Sequence, residues 1–324
     1  MTGRRALLAA GLAGVPLGAA RAQGVPGPEQ RPLRIVVPFA PGGSSDVLAR
    51  LLQPGMGTAL GGQPVIVENR PGAGSLLGAE AVARSPADGG TVLLADLPFA
   101  VVPAVQERLP YDPVADFAPV TLLAVAPLML FAHPAVPARD AAEFAALARA
   151  RPDGFSYGSG GIGAASHLMG ELFQRATGAR LVHVPYRGGG PAVLDTAAGQ
   201  VQAVFVSLAS AAPQVQSGQV RPLGVAGTAR LPALPDVPTF REQGIDLVVE
   251  HWWGLLAPAR TPPAAVARLA DAAAAAVRAP DLAPRLEALA LLPRAEGPEP
   301  FGRLVRSDLE RWGAVVRAAG IRAQ

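Results

Sequence analysis

Two glycine-rich turns carry the residues whose types and spacing point most directly to chemistry. They occupy residues 40–46 (APGGSSD) and 158–166 (GSGGIGAAS), and each follows a short apolar run and precedes a segment with helical spacing. Glycine lets an anion approach the backbone closely because it has no Cβ. The unpaired N–H groups and the positive dipole at a helix start favour a carboxylate or phosphate. Each turn is therefore a candidate anion site, although a tight turn that needs positive φ gives the same pattern.

The second turn also satisfies the dinucleotide pattern G-x-G-x-x-G through Gly158, Gly160 and Gly163. In a dinucleotide fold an acid follows about 20 residues later, at the end of the next strand. The chain there reads HVPYR at residues 183–187, which contains no acid. Arg187 could instead meet the 2′-phosphate of NADP. An exported NADP-linked oxidoreductase that uses the 158–163 turn is therefore the alternative function.

Other catalytic chemistries have little support in the sequence. The chain has no cysteine, and all 28 of its cationic residues are arginine. These absences exclude thiolate metal sites, cysteine nucleophiles, P-loop lysines and lysine Schiff bases. The four histidines are scattered without metal-ligand spacing, Ser159 lacks the preceding glycine of a nucleophile elbow, and His167 is expected to pack or cap within a helix. We expect no catalytic residue, no metal and no cofactor.

The charge balance indicates a chain without affinity for polyanions. Residues 1–22 hold three arginines and no acid, whereas the remainder holds 25 arginines and 25 acids, so the formal +3 falls to zero beyond residue 22. A neutral chain has no field that would gather nucleic acid or an anionic membrane. We therefore expect neither as a partner.

The N-terminus has the pattern of an export signal. Arg4 and Arg5 precede an apolar run, and an A-x-A site at residues 20–22 predicts cleavage near Ala22. The pattern permits the Sec or the twin-arginine route, and an uncleaved anchor is the alternative. Residues 23–31 are rich in glycine and proline and are predicted to be a flexible tail.

Strand-like and helix-like segments alternate along the rest of the chain, which predicts two α/β lobes with mostly parallel sheets and helices on both faces. The apolar stretch 120–132 predicts the first crossing between the lobes, and 220–227 the return. Pro54 is expected to kink or shorten the first helix, and Gly61–Gly62 to end it. The other predicted strands are 33–39, 65–68, 91–95, 155–157, 181–184, 201–206 and 252–256, and the later helices are 78–84, 139–149, 165–177, 191–199, 262–278 and 300–319.

Six segments, in order along the chain, resemble the tripartite tricarboxylate transporter substrate-binding proteins, the Bug family. They are VPFAPGGSSDVLAR at 37–50, VENRPGAG at 67–74, LPYDPVADFAPV at 109–120, YGSGGIGAASHLMGELF at 157–173, HVPYRGGGPAVLD at 183–195 and LPDVPTFREQG at 234–244. The resemblance implies a periplasmic Venus-flytrap receptor (type II) with lobe 1 at 32–123 and 228–324 and lobe 2 at 124–227. It further implies a monomer that closes over a small carboxylate-bearing solute and serves the membrane subunits of such a transporter or a signalling partner.

The resemblance also implies where the ligand lies. Loops of the first lobe and turns of the second would hold it, with Asp96 and Ser207 as positions that set specificity. Asp46 is expected to be a structural N-cap, because an acid beside a bound anion would repel it. The expected binding residues are Phe39, Ala40, Pro41, Gly42, Gly43, Ser44, Gly72, Ala73, Asp96, Ser159, Gly160, Gly161, Ile162, Gly163, Ala164, Tyr186, Arg187, Gly188 and Ser207.

Two positions depart from the family's pattern. Relatives often carry an aspartate after the strand 201–205, where this chain reads Val206–Ser207. We therefore expect a ligand without a cationic amine. Asp96 stands in a predicted loop, 95–100, where many relatives have small hydroxyl residues; it either turns outward or contacts a ligand hydroxyl. An inward-pointing Arg70 or Arg187 would grip a second carboxylate.

Overall fold

The computed structural model describes residues 31–106 and 108–321, so the predicted signal peptide and nearly all of the predicted tail lie outside the described residues. The strands are β1 Leu33–Val37, β2 Val65–Asn69, β3 Thr91–Asp96, β4 Phe117–Pro127, β5 Met129–Ala132, β6 Phe155–Ser159, β7 Leu181–Pro185, β8 Ala203–Val206, β9 Arg221–Val225, β10 Glu250–Pro258 and β11 Leu292–Glu296. The helices are α1 Ser44–Ala59, α2 Leu76–Ala83, α3 Pro98–Val105, α4 Ala141–Ala150, α5 Ala165–Thr177, α6 Gly189–Ala197, α7 Leu208–Gln216, α8 Pro263–Val277, α9 Ala283–Ala288 and α10 Pro298–Ala319.

The strands form two sheets, one for each lobe. The first has the order β11-β4-β10-β3-β1-β2 and the second the order β7-β6-β8-β5-β9. Strand β1 is parallel to β2 and β3, and β6 is parallel to β7 and β8, whereas β4, β5, β9, β10 and β11 pair antiparallel. The two-lobe α/β fold is confirmed, but the sheets are mixed instead of mostly parallel, because the strands on either side of the crossings, β4, β5, β9 and β10, and the edge strand β11 pair antiparallel.

The two lobes are joined by neighbouring passes of the chain. Strands β4 and β5 belong to different sheets and are separated by Leu128 alone, which confirms the predicted crossing at 120–132. The Ala226 N–H donates to the Leu128 carbonyl (2.8 Å), and the Val249 N–H donates to the Ala226 carbonyl (2.9 Å). Three passes of the chain therefore lie side by side between the lobes.

The division of the chain into lobes at residues 123 and 228 stays a prediction. Contacts of the segment 228–249 favour assigning it to the second lobe instead. Thr239 bridges Val225 at the end of β9, and the Phe240 ring lies 5.6 Å from the Phe173 ring of α5. The chain rejoins the first sheet at Glu250, where β10 begins.

Apolar residues of both faces of the first sheet are buried. On β1, Leu33, Ile35 and Val37 belong to a core cluster that includes residues of α1 and α8, whereas Val36 belongs to the cluster on the opposite face. Alternate residues of a strand point to opposite faces, so helices must cover both. Strands β3 and β10 lie in the middle of this sheet, and Ser45 at the start of α1 contacts both of them.

Some predicted elements differ from the observed ones. Helix α1 continues through Pro54 to Ala59, because Leu52 and Met56 on either side of the proline are fully buried and packing outweighs the lost hydrogen bond. The segment 95–100, expected as a loop, ends β3 and begins α3 with a proline in the first turn. Helices α7 and α9 and strand β11 are observed but were not predicted.

Candidate functional site

A cavity lies between the two lobes, with an empty volume of about 430 Å³ including its open mouth. The first lobe, the second lobe and the crossing strands all contribute to it. Its lining residues are Phe39, Gly43, Ser44, Ser45, Asp96, Pro98, Leu128, Gly160, Ala164, Ala165, Ser166, Gly189, Phe205, Val206, Ser207, Ser210 and His251.

Five helices of the described chain begin at this cavity. The lining includes residues at the starts of α1, α3, α5, α6 and α7. The first N–H groups of a helix have no acceptor within the helix, and each helix dipole stabilises a nearby anion by about 0.3–1 kcal/mol. The lining contains no arginine. The cavity therefore offers oriented backbone dipoles, and not side-chain cations, to an anion.

The lobes touch each other beside the cavity. The Ala40 N–H donates to the Arg187 carbonyl (2.9 Å), and the Ser44 N–H donates to Ser210 Oγ (2.8 Å). A Cβ added to Gly190 would lie 2.7 Å from the Pro41 carbonyl oxygen, and one on Gly74 would overlap the Ile162 carbonyl. Glycine at these positions is what allows the two backbones to approach this closely.

The first glycine turn is held by a buried carboxylate. Asp46 lies in the first turn of α1, and its side chain accepts hydrogen bonds from the Gly42 N–H, Arg50 and Asn69, each at 3.0 Å. Gly43 is the N-cap residue, so the expectation that Asp46 is the N-cap is wrong in position but right in its structural role. Burial alone raises the Asp46 pKa, but the bonds from Arg50, Gly42 and Asn69 outweigh it and hold the pKa below its ordinary value.

The second glycine turn is held by neutral side chains. Ser166 Oγ accepts from the Gly160 N–H (2.8 Å), Ser159 Oγ from the Gly161 N–H (3.1 Å), and His167 Nδ1 from the Gly163 N–H (3.2 Å). His167 therefore caps the turn, as expected. Burial lowers the His167 pKa from 6.5 to about 4, so the imidazole is neutral and its Nδ1 can accept. These bonds occupy N–H groups that a dinucleotide pyrophosphate would need.

A buried polar cluster lies on the first-lobe side of the cavity. Ser45 Oγ accepts from Trp253 Nε1 (3.0 Å) and donates to Asp96 Oδ2 (2.9 Å). His251 Nε2 lies 3.7 Å from Asp96 Oδ2. Asp96 thus faces the cavity and does not turn outward.

The predicted site residues divide between two spaces that meet at Gly160. Seven line the cavity: Phe39, Gly43, Ser44, Asp96, Gly160, Ala164 and Ser207. The adjoining open groove is lined by Gly72, Ala73, Gly161, Ile162, Tyr186 and Arg187, together with Gly160 again. Ala40, Pro41, Gly42, Ser159, Gly163 and Gly188 line neither, and several of them form backbone contacts between the lobes or within a turn.

The arginines proposed as a grip on a second carboxylate do not reach the cavity. The Arg70 side chain is exposed and pairs with Glu68, with Nε 2.5 Å from Oε1. Arg187 is exposed on the groove side. A second carboxylate in the cavity would therefore also depend on backbone and hydroxyl donors.

Sequence reasoning missed several lining residues. Ser45, Ser166 and Ser210 lie in first turns of helices, where small hydroxyl residues next to a glycine turn or strand end were an available signal. His251 gave no such signal, because it reaches the cavity only through the pairing of β10 with β3. The remaining missed residues are Pro98, Leu128, Ala165, Gly189, Phe205 and Val206.

Two further findings concern the described residues alone. They contain no group of three or more histidine, aspartate or glutamate side chains placed to hold a metal ion. Nor does any helix among them have the length and hydropathy needed to cross a membrane.

Comparison with known proteins identifies close relatives of this architecture. The model of the tripartite tricarboxylate transporter family receptors matches residues 48–321. The structure of the periplasmic binding protein BugD is 33% identical, covers 91% of this chain and 99% of its own, and superposes with a TM-score of 0.88.

Two liganded structures from Rhodopseudomonas palustris are also similar. MatC with bound malate is 36% identical over 88% of this chain and 99% of its own, with a TM-score of 0.84. A second protein, with adipate, is 32% identical over 90% of this chain and 99% of its own, with a TM-score of 0.86. All three likenesses extend over both lobes.

Proposed function

Because the chain belongs to the tripartite tricarboxylate transporter receptor family, we propose that it is a periplasmic receptor for a small carboxylate-bearing solute. The solute binds in the cavity between the lobes and is delivered to the membrane subunits of a tripartite tricarboxylate-type transporter. The observation that carries this proposal is the convergence of five helix starts on a cavity lined without arginine. The malate and adipate bound to two relatives support a carboxylate ligand.

Binding and closure are coupled in this mechanism. A carboxylate between the lobes meets helix starts from both of them, so it binds the closed arrangement better than an open one. That differential affinity shifts the hinge equilibrium toward closure. The contacts of Ala40 with Arg187 and of Ser44 with Ser210 then hold the lobes together.

The export and assembly of the receptor form part of the same proposal. Residues 1–22 direct export by the Sec or the twin-arginine route, with cleavage near Ala22. The mature protein acts as a monomer whose closed lobes present the docking face. The transporter subunits or a signalling partner bind to that face.

Calorimetric titration and thermal shift of the mature protein, residues 23–324, test the function. Mono-, di- and tricarboxylates are compared with their methyl esters, which keep the carbon skeleton but remove the charge. We expect at least one free acid to stabilise the protein and its ester to have no effect, because helix dipoles act on the anion. Stabilisation by NADPH, with no response to any acid, would instead support the oxidoreductase.

A further inference from the structure

Asp96 and His251 meet in the cavity because of strand pairing. Trp253 of β10 lies opposite Asp96 of β3 in an antiparallel pair, and His251 precedes Trp253 by two residues. Residues two apart on a strand point to the same face. Both side chains therefore line the cavity, where Asp96 is 2% and His251 is 5% exposed.

The orientation of Asp96 is fixed by a chain of hydrogen bonds. The Trp253 indole donates to Ser45, and Ser45 donates to Asp96 Oδ2. In the described chain Asp96 Oδ1 has no hydrogen-bond partner, and the same holds for both ring nitrogens of His251 and for the hydroxyl of Ser207, which is 1% exposed. The 3.7 Å between His251 Nε2 and Asp96 Oδ2 is too long for a hydrogen bond.

The buried polar atoms of Asp96, His251 and Ser207 that have no partner indicate which chemical groups the ligand carries. Buried polar groups nearly always find a partner, and a carboxylate oxygen accepts but cannot donate. A simple carboxylate ligand brings only acceptors, so it would leave Asp96 Oδ1 unsatisfied and would repel it. A ligand with a hydroxyl or ammonium group satisfies that oxygen directly.

We propose that Asp96 and His251 form a specificity site that recognises a hydrogen-bond donor, a hydroxyl or an ammonium group, on the bound carboxylate. The donor group bonds to Asp96 Oδ1. His251 and Ser207 bond to the polar atoms around it. This inference rests on the proposed function and names the substrate class of the same cavity.

The position of Asp96 also bears on the expectation that the ligand lacks a cationic amine. The expectation of a ligand without one depended on Val206–Ser207 replacing an aspartate of relatives. Asp96 brings a carboxylate into the same cavity from β3, and Val206 and Ser207 line it as well. The absence of an acid after β8 therefore no longer argues against an ammonium group.

A matched ligand series tests the proposal on the mature wild-type protein. Succinate, L-malate and L-aspartate share one skeleton and differ in having no donor, a hydroxyl or an ammonium group. Adipate, 2-hydroxyadipate and 2-aminoadipate, and butyrate, 2-hydroxybutyrate and 2-aminobutyrate, extend the comparison to other lengths. By calorimetry we expect a donor-bearing acid to bind about 10- to 100-fold more tightly than its unsubstituted parent.

The outcomes separate the two proposals. Tighter binding of the hydroxy acid identifies a hydroxyl, and tighter binding of the amino acid identifies an ammonium group. Parents that bind as well as both derivatives overturn the specificity site while leaving the carboxylate receptor intact. Failure of every acid to bind overturns the proposed function and, with it, the inference.

Substitutions of Asp96 and His251 test whether these two side chains cause the preference for donor-bearing acids. We expect Asp96→Ala and His251→Phe each to reduce the ratio between donor-bearing acid and parent at least about tenfold, with little loss of affinity for the parent. A merely structural effect would weaken all acids alike. Asp308→Asn is the control, because Asp308 is also buried and accepts from an indole, that of Trp252 (2.8 Å), outside the cavity. A ratio unchanged in both Asp96→Ala and His251→Phe overturns the assignment.

Discussion

The two glycine turns occupy equivalent places in their lobes but are held by different chemistry. In each, a side chain from the first turn of the following helix reaches back to an N–H of the turn. The first turn depends on the ionised carboxylate of Asp46, and the second on the neutral side chains of Ser166 and His167. Both turns share one requirement, a side-chain acceptor for a backbone N–H of the turn. The chemistry of that acceptor sets the conditions under which each turn is stable.

The largest effect is expected at the charged turn. Asp46→Ala removes the acceptor of the Gly42 N–H, Asn69 and Arg50 together. Each such bond to a charged group is worth about 1.5–3 kcal/mol, but Arg50 and Gly42 are exposed enough to regain water. We therefore expect the free energy of unfolding to fall by about 3 kcal/mol, measured by urea denaturation.

Asp271→Ala is the matched control, since Asp271 is an exposed aspartate on α8. It should change the free energy of unfolding by less than about 0.5 kcal/mol. Equal effects of the two substitutions would show that the carboxylate does not hold the first turn, and the contrast between the turns would disappear.

The local sequence was sufficient to predict both glycine turns but not to predict all the residues that line the cavity. A glycine-rich turn between an apolar run and a segment with helical spacing predicts a strand, a turn and a helix start, because these signals lie within a few residues of one another. The contact of Ser45 with Trp253 joins residues 208 positions apart. Its existence depends on which residue of β10 faces Asp96, and a strand register is set by tertiary packing that no local pattern contains.

The same limit explains the errors in the elements. Pro54 predicts a shortened helix by its own chemistry, and burial of Leu52 and Met56 overrides it. The motif led us to expect ligand-binding residues at Ala40 and Gly188, which line neither the cavity nor the adjoining groove. What the motif does not show is that these backbones meet each other when the lobes touch.

A second prediction concerns the contact between the first glycine turn and the second lobe. Gly190 of α6 packs against the Pro41 carbonyl and the backbone of Gly42–Gly43, so Gly190→Ala places a methyl group at that contact. Alanine favours a helix over glycine by up to about 1 kcal/mol, so the lobe itself should not be destabilised. Closure should be disfavoured by about 1–3 kcal/mol, which weakens ligand binding about 5- to 150-fold in calorimetry.

Gly313→Ala is a suitable control, because Gly313 lies within α10 and a Cβ there would meet only the flexible side chain of Arg317. It should leave ligand affinity unchanged. Small-angle scattering with ligand should show a more open Gly190→Ala protein. Full affinity in that variant would mean that the first turn is not a closure contact.

The smallest expected effect is a difference between the two glycine turns in how the free energy of unfolding depends on pH. Burial lowers the His167 pKa to about 4, and burial together with His167 lowers the His183 pKa to about 4. The unfolded chain therefore binds more protons than the folded one below about pH 6.5, and stability falls as the pH decreases toward 4. The lowered pKa of Asp46 acts in the same direction but at lower pH, because its contribution is kept above about pH 3.9 and is lost as the pH falls further.

His167→Asn separates these windows, since asparagine keeps an acceptor near the position of Nδ1 but does not titrate. Between about pH 7 and about pH 5.5 the wild type should lose about 1 kcal/mol more than this variant, measured as the difference in urea midpoints multiplied by the slope. Asp46 remains ionised over that range, so the first turn contributes nothing to the difference. An identical loss in both proteins would show that the neutral imidazole is not what makes the second turn sensitive to acid.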